Sequence, residues 1–114
     1  MTPVLPLEVE EETARHWSKD GAVWLDVRER SEFEEKHIPG ALWIPIGELA
    51  SRWRELPVAG LVVVYCSAGS RSFRAAKFLR EHGLPAAALV GGINEWVAKG
   101  GSVDAAALVP QPAN

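Results

Sequence analysis

The sequence predicts an α/β domain with a mainly parallel central sheet of about five strands, flanked by helices on both faces. Short apolar runs alternate along the chain with stretches of helical periodicity, which is the order of elements typical of such a domain. The run 61–65 is Leu-Val-Val-Val-Tyr, and its lack of polar alternation indicates a strand covered on both faces. Gly21, Gly83 and Gly100 each follow a helical stretch, where a glycine commonly ends a helix.

The length and composition fit one globular domain of 114 residues, with a core at about 5–100 and a tail at 101–114. Hydrophobic residues make up 47% of the chain and charged residues 24%, which is ordinary for this class. The formal net charge of −3 argues against binding to nucleic acid or an anionic membrane, which would need a basic surface. No apolar run approaches the roughly 20 residues of a membrane span, and residues 1–6 lack the layout of a signal peptide.

The cysteine content bears on compartment and cofactors. Cys66 is the only cysteine, so the chain cannot form an internal disulfide. A lone thiol suits a reducing compartment, and we therefore expect the protein in the cytoplasm. His37 has no second histidine, cysteine or carboxylate at the spacing of metal ligands, so we expect neither a metal nor a cofactor. We also expect a monomer or a weak dimer.

Turn residues and hydrophobic periodicity divide the chain into elements. The predicted strands are 3–9 (a lead-in), 22–27, 41–44, 61–65 and 86–90, and the predicted helices are 10–20, 31–36, 46–56, 72–82 and 93–99. In the second helix, Ser31 is the predicted cap and Glu34 completes a capping box. In the fourth helix, one stripe contains Ala75, Phe78, Leu79 and His82.

The cysteine lies where a predicted buried strand ends and a helix begins. A short loop that turns into a helix points several backbone N–H groups at one spot, and with the helix dipole these groups stabilise an anion. A thiol held there loses its proton more easily, and the thiolate is the nucleophilic form. Cys66 is therefore the predicted catalytic residue, rather than one more small buried side chain.

The residues after Cys66 fit a loop that binds a substrate or an anion. Gly69 gives the backbone the freedom that a tight loop needs. Arg71 adds a fixed positive charge at the rim, which we expect to attract an anionic substrate. The other loop residues are small enough to leave its centre open: Ser67, Ala68 and Ser70.

Asp26 and Arg28 lie at the end of the predicted strand 22–27, and ligands of open α/β sheets bind beyond such strand ends. One interpretation makes Arg28 a second ligand for an anion. The other, which we favour, has the two side chains pair with each other or with loop backbone and support the site, because buried charges are usually satisfied structurally. His37 is not assigned as a general base, since backbone donors suffice to activate Cys66.

Several separated motifs resemble those of single-domain rhodaneses. They are Val64-Tyr65-Cys66-Ser67-Ala68-Gly69-Ser70-Arg71-Ser72, Ala75-Ala76 with Leu79, Gly91-Gly92-Ile93 with Trp96, Leu25-Asp26-Val27-Arg28 with Glu32-Phe33, and His37-Ile38-Pro39-Gly40-Ala41. Their order and spacing agree from about Trp24 to Trp96, which is far more specific than the cysteine loop alone. The resemblance implies a rhodanese-like fold and places His37 in a structural turn.

The same resemblance implies thiosulfate sulfurtransferase activity. In that reaction Cys66 would take a sulfane sulfur from an anionic donor such as thiosulfate and hold it as a persulfide. Cyanide, a small thiol or a sulfur-accepting partner protein would then remove the sulfur. Ser67 and Ala68 are neutral, where some relatives carry a basic residue that helps to bind thiosulfate, so the sequence leaves the preferred donor open.

Two other functions stay open at this point. A non-catalytic sulfur carrier or interaction module would have the same loop and little activity on small donors. A Cys-based phosphatase or arsenate-type enzyme is less favoured. Such relatives carry one more residue between cysteine and arginine, whereas four residues separate Cys66 from Arg71 here.

Overall fold

The computed structural model describes residues 5–57 and 60–105, and within these ranges it contains five β-strands and five α-helices. Their bounds are β1 Glu8–Val9, α1 Glu11–Lys19, β2 Val23–Asp26, α2 Arg30–Glu35, β3 Leu42–Trp43, α3 Leu49–Arg52, β4 Val62–Tyr65, α4 Ser70–Glu81, β5 Ala86–Leu89 and α5 Gly92–Ala98. None of these helices is both long and apolar enough to cross a lipid bilayer.

The strands form one parallel sheet in the order β1-β5-β4-β2-β3. β4 and β2 are neighbours, and Tyr65 at the end of β4 pairs with Asp26 at the end of β2. Because parallel strands point the same way, the segments that follow β2 and β4 leave the sheet at the same edge. The predicted α/β fold class, with a five-stranded parallel sheet, is confirmed.

The two faces of the sheet are covered by different helices. Alternate residues of β4 belong to different apolar clusters, with Val62 and Val64 in one and Val63 and Tyr65 in the other. The first cluster includes buried residues of α3 and α4, namely Leu49, Ala75, Ala76 and Leu79. The second includes buried residues of α1 and α5, namely Ala14, Ile93 and Trp96. This two-sided burial explains why β4 has no polar alternation.

The short helix α2 does not begin where its sequence pattern predicted. It begins at Arg30, and its cap residue is Glu29 rather than Ser31. The backbone N–H of Glu29 donates to the Glu32 carboxylate at 2.9 Å, so the capping box uses Glu29 and Glu32 instead of Ser31 and Glu34. Glu32 therefore has a fixed position at the start of this helix.

The predicted helix 46–56 is interrupted. Only α3 is α-helical, and 3₁₀ turns flank it at Ile46–Glu48 and Trp53–Glu55. The backbone N–H of Ile46 donates to the carbonyl of Val27 at 3.0 Å, which ties the start of this segment to the end of β2. Anchoring of this kind outweighs the local preference for one continuous helix.

Helix α4 starts at Ser70, two residues earlier than predicted, and its inward stripe ends before His82. The His82 side chain is exposed, and its ring contacts Phe78 and Trp53 at the surface. His82 is the C-terminal cap residue of α4, so it lies beyond the last turn that packs on the sheet. His82 therefore stays at the surface, although Ala75 and Leu79 of the same predicted stripe are buried.

The first part of the predicted tail packs on the domain. The indole N–H of Trp96 donates to the carbonyl of Ser102 at 2.8 Å. Asp104 and His37 exchange two backbone hydrogen bonds of 2.8 Å in an antiparallel bridge. The rest of the tail, 106–114, and the start of the predicted lead-in, 1–4, lie outside the described residues.

Candidate active site

Cys66 directly follows β4, and the loop after it leads into α4 within four residues. Gly69 turns the chain with a φ of +123°, a conformation that residues with a side chain rarely adopt. This turn brings the backbone N–H of Gly69 to 3.0 Å from the Cys66 Sγ, and the N–H of Ser72 lies at 3.4 Å. Cys66 is 1% exposed, so loop atoms rather than open solvent surround the sulfur.

The hydroxyl of Ser72 also contacts the sulfur. Its Oγ lies 3.4 Å from Sγ and donates to the carbonyl of Gly69 at 3.1 Å. In the thiol form the S–H of Cys66 donates to this hydroxyl. Once the sulfur is ionised, the hydroxyl can rotate and donate to it, because a hydrogen bond to a charged acceptor is the stronger of the two.

These contacts set the pKa of the thiol. Burial of Cys66 raises its pKa, but hydrogen bonds from the Ser72 side chain and from the backbone of Ser72, Gly69 and Arg71 lower it by more. The pKa of Cys66 therefore lies below its ordinary value, so the thiolate forms more readily than that of an ordinary cysteine. The arrangement can hold one ionised sulfur without a histidine beside it.

Replacing Ser72 with alanine removes one of these donors and should raise the pKa of Cys66. Because only the thiolate is alkylated, the pH profile of iodoacetamide labelling should shift toward higher pH. Cys66 is the only cysteine, so intact mass reports its labelling directly. Ser51→Ala, whose hydroxyl donates to the carbonyl of Glu48 on the surface, is the control and should leave the profile unchanged. A Ser72→Ala profile that matches the wild type would remove this hydroxyl from thiolate stabilisation.

The start of α5 holds the same loop from the other side. The backbone N–H groups of Ile93 and Asn94 donate to the carbonyls of Cys66 and Ser67 at 2.8 and 3.1 Å. Gly92 has a φ of +59°, and a methyl group there would overlap both carbonyl oxygens. The backbone of Gly92 can therefore lie this close to the cysteine loop only because it has no side chain.

Arg71 is not a free cation at the rim of the loop. Its guanidinium donates two hydrogen bonds to the Glu32 carboxylate, at 2.8 and 3.0 Å. The Ser67 hydroxyl donates to the same carboxylate at 2.9 Å. The hydrogen bond from Arg71 is the largest influence on the pKa of Glu32 and holds it at about 2. The same hydrogen bond, together with the nearby Cys66, raises the pKa of Arg71. The expected positive charge is therefore matched by a carboxylate that stays ionised at any ordinary working pH.

Asp26 and Arg28 form a buried ion pair at the end of β2. Asp26 is 0% exposed and Arg28 is 2% exposed, and their closest side-chain atoms are 2.8 Å apart. Arg28 also donates from its backbone N–H to Asp26 at 2.9 Å and from its guanidinium to the carbonyl of Lys36 at 2.5 Å. The two charges thus compensate each other, and Arg28 ties the end of β2 to the residue that follows α2. That the pair supports the site stays a prediction.

His37 lies just before the turn at 39–40, and its ring packs against helix α2. Its Nδ1 is 2.9 Å from the carbonyl of Phe33, and the two rings are stacked with centroids 4.0 Å apart. Its backbone pairs with Asp104. Within residues 5–57 and 60–105, no group of three or more His, Cys, Asp or Glu side chains is placed to hold a metal ion.

Sequence reasoning missed two residues that the structure brings to the loop. Ser72 was assigned to the helix alone, although its place in the first turn put its N–H and hydroxyl within reach of the loop. Glu32 lies 39 positions before Arg71, and no local pattern connects the two. Of the predicted site residues, Ala68 and Ser70 are exposed on the loop, whereas Ser67 and Arg71 both contact Glu32.

Comparison with known proteins identifies the family. Residues 10–99 match the family model of the Rhodanese-like domain. The chain belongs to this family. The rhodanese-like chain is 35% identical over 77 residues to a sulfurtransferase of Allochromatium vinosum, covering 67% of this chain and 72% of that protein. It is 34% identical over 74 residues to the thiosulfate sulfurtransferase PspE of Escherichia coli, covering 63% of this chain and 71% of that protein.

Solved structures agree with this rhodanese-like assignment. The crystal structure of a rhodanese-related protein from Thermoplasma volcanium matches with a TM-score of 0.80 at 31% identity, covering 85% of this chain and 96% of that chain. Other relatives are longer. The chain spans only 41% and 60% of two Bacillus subtilis proteins to which it is 38% and 42% identical. The predicted family is confirmed, and in these relatives the matching segment is one part of a longer protein.

Proposed function

We propose that this rhodanese-like protein is a sulfurtransferase that carries a sulfane sulfur on Cys66 as a persulfide. The observation that carries the proposal is the environment of the sulfur, which receives backbone hydrogen bonds from Gly69 and Ser72 at 3.0 and 3.4 Å. These donors stabilise the thiolate before the reaction and can stabilise the persulfide anion after it. The sulfurtransferases among the relatives support the same chemistry.

In the first half-reaction the Cys66 thiolate attacks the outer sulfur of the donor. With thiosulfate, a bond forms between Sγ and this outer sulfur, and the bond to the sulfonate sulfur breaks. Sulfite leaves with the bonding electron pair, and the enzyme keeps an anionic persulfide. Cys66 is 1% exposed, and we infer that sulfur donors enter from the side of the loop where Ala68 and Ser70 are exposed.

In the second half-reaction a thiophilic acceptor attacks the outer sulfur of the persulfide and the Cys66 thiolate leaves. Cyanide, a small thiol or the cysteine of a partner protein would each complete the cycle. Two separate half-reactions predict ping-pong kinetics. A lone reactive thiol suits a reducing compartment, so the proposed location is the cytoplasm.

A sulfur carrier is the second candidate, and one observation favours it. A Bacillus subtilis relative has a name that refers to a sulfur carrier. A carrier would form the same persulfide on Cys66 and release the sulfur only to a partner protein. Turnover with small acceptors therefore separates the two functions. A Cys-based phosphatase is disfavoured by the four-residue spacing between Cys66 and Arg71, and phosphatase turnover faster than sulfur transfer would reverse this ranking.

Intact-mass measurement after incubation with thiosulfate tests the proposal. The protein should gain the mass of one sulfur atom, and addition of cyanide should remove it and release thiocyanate. Steady-state turnover with the same pair distinguishes a catalyst from a carrier. If no sulfur is gained from thiosulfate or from a low-molecular-weight persulfide, the proposed function is wrong.

A further inference from the structure

We propose that Glu32 is a specificity-determining residue that makes the Cys66 loop favour sulfur donors without net negative charge over dianionic donors such as thiosulfate. This inference rests on the proposed function and adds a substrate class to it. It starts from the contacts of the polar side chains on the loop. Both the Arg71 guanidinium and the Ser67 hydroxyl donate to Glu32, at distances of 2.8 to 3.0 Å.

These contacts change what the loop offers to a donor. Without Glu32, the loop would present a guanidinium and a hydroxyl, both of which bind sulfonate oxygens well. With Glu32 present, the guanidinium and the hydroxyl both donate their hydrogen bonds to a protein carboxylate. The positive charge of Arg71 is then matched by a negative charge on the same side of the loop. A dianion that approaches Cys66 therefore gains little attraction from Arg71 and is repelled by Glu32.

The position of Glu32 is built into the fold. Its carboxylate also accepts the backbone N–H of Glu29 at 2.9 Å, which fixes it at the start of α2. The pair Asp26 and Arg28 fixes the segment that precedes this helix, and Arg28 also donates to the carbonyl of Lys36 just after it. Since its pKa is held at about 2, Glu32 stays charged above about pH 4, so the preference does not depend on pH in the neutral range.

The favoured donors are hydropersulfides whose carrier group is neutral or cationic. In this reaction the Cys66 thiolate attacks the outer sulfur of R–S–SH, the new S–S bond forms, and the bond between the two donor sulfurs breaks. The carrier leaves as the thiolate R–S⁻, and the proton stays with the transferred sulfur. No oxidant or reductant is consumed, because one persulfide is exchanged for another.

Single-turnover rates of persulfide formation, followed by quenched intact mass, test the inference. The donors are thiosulfate and cysteamine hydropersulfide, which is small and carries an ammonium group. Glu32→Gln should raise the rate with thiosulfate by about tenfold and leave the rate with cysteamine hydropersulfide unchanged or lower. The gain with thiosulfate should shrink as the salt concentration rises. Glu34→Gln is the matched control in α2, since Glu34 pairs with Arg30 on the surface, and it should change neither rate.

A double variant separates charge compensation from a direct role of Arg71. Arg71→Ala leaves Glu32 uncompensated and should slow the reaction with thiosulfate by about tenfold. Glu32→Gln/Arg71→Ala removes both charges and should return this rate to within about threefold of the wild type. A double variant as slow as Arg71→Ala would show that Arg71 binds the donor directly and would overturn the inference.

The remaining outcomes are also decisive. If Glu32→Gln lowers both rates equally, Glu32 is only a structural support of the loop, and the inference is wrong. If the wild type gains sulfur from both donors but Glu32→Gln leaves their ratio unchanged, the inference fails while the proposed function stands. If the wild type gains sulfur from neither donor, both fail.

Discussion

Replacing Cys66 with serine is expected to abolish sulfur transfer while leaving the fold intact. Serine has nearly the same shape, and its hydroxyl still accepts the hydrogen bond from Gly69. A hydroxyl at this position cannot form a persulfide, however, and it remains protonated at neutral pH. Turnover with thiosulfate and cyanide should fall by about 10³-fold or more, and intact mass should show no added sulfur.

Two measurements keep this prediction specific to the chemistry. The free energy of unfolding of Cys66→Ser, from urea titration, should lie within about 1.5 kcal/mol of the wild type, because no cavity is created. Turnover in this variant above a tenth of the wild-type rate would exclude Cys66 as the nucleophile. A loss of activity that accompanies unfolding would instead mean that Cys66 is needed for structure, and Cys66→Ala then provides the second test.

Replacing Asp26 with alanine is expected to lower the free energy of unfolding substantially. The change leaves the Arg28 guanidinium unpaired at 2% exposure, next to the ring of Tyr65. Breaking a buried ion pair by removing one partner costs about 3 to 5 kcal/mol, because the remaining charge is buried without compensation. Urea unfolding at neutral pH should show a loss of this size, and the midpoint should fall accordingly.

An exposed pair is the matched control for Asp26. Glu34→Ala breaks the surface pair between Glu34 and Arg30 and should cost less than about 1 kcal/mol. The double variant Asp26→Ala/Arg28→Met should be more stable than Asp26→Ala alone, since it removes the unpaired charge. A cost for Asp26→Ala similar to that for Glu34→Ala would contradict the supporting role of the buried pair.

The fold was predictable because its signals are local and repeated. β4 is apolar throughout, and this already indicates a strand with helices on both sides. The exposure of His82 was not predictable, because it depends on where the sheet ends. The interruption of the predicted helix 46–56 was not predictable either, because it depends on the hydrogen bond from Ile46 to Val27. Periodicity marks which residues share a face of a helix, but not how far the neighbouring sheet extends along it.

Only those parts of the candidate site that are close together in the sequence were predictable. The strand, Cys66 and Gly69 follow one another in sequence, so the loop geometry follows from local chemistry. The electrostatic partner of Arg71 comes from another helix, and the pattern that suggested a cap at Ser31 pointed away from the role of Glu32. Contacts between distant segments depend on the packing of whole elements, and such contacts cannot be read from the pattern of a single sequence.

The hydrogen bonds from Ile93 and Asn94 tie the Cys66 loop to helix α5. Any excursion that widens the path to the sulfur must stretch or break two backbone bonds, each worth about 0.5 to 1.5 kcal/mol. The hydrogen-exchange rates of these two amides would therefore report how often the loop opens. A bound molecule that displaces α5 would therefore also shift the backbone around the Cys66 sulfur, although it touches no residue of the loop.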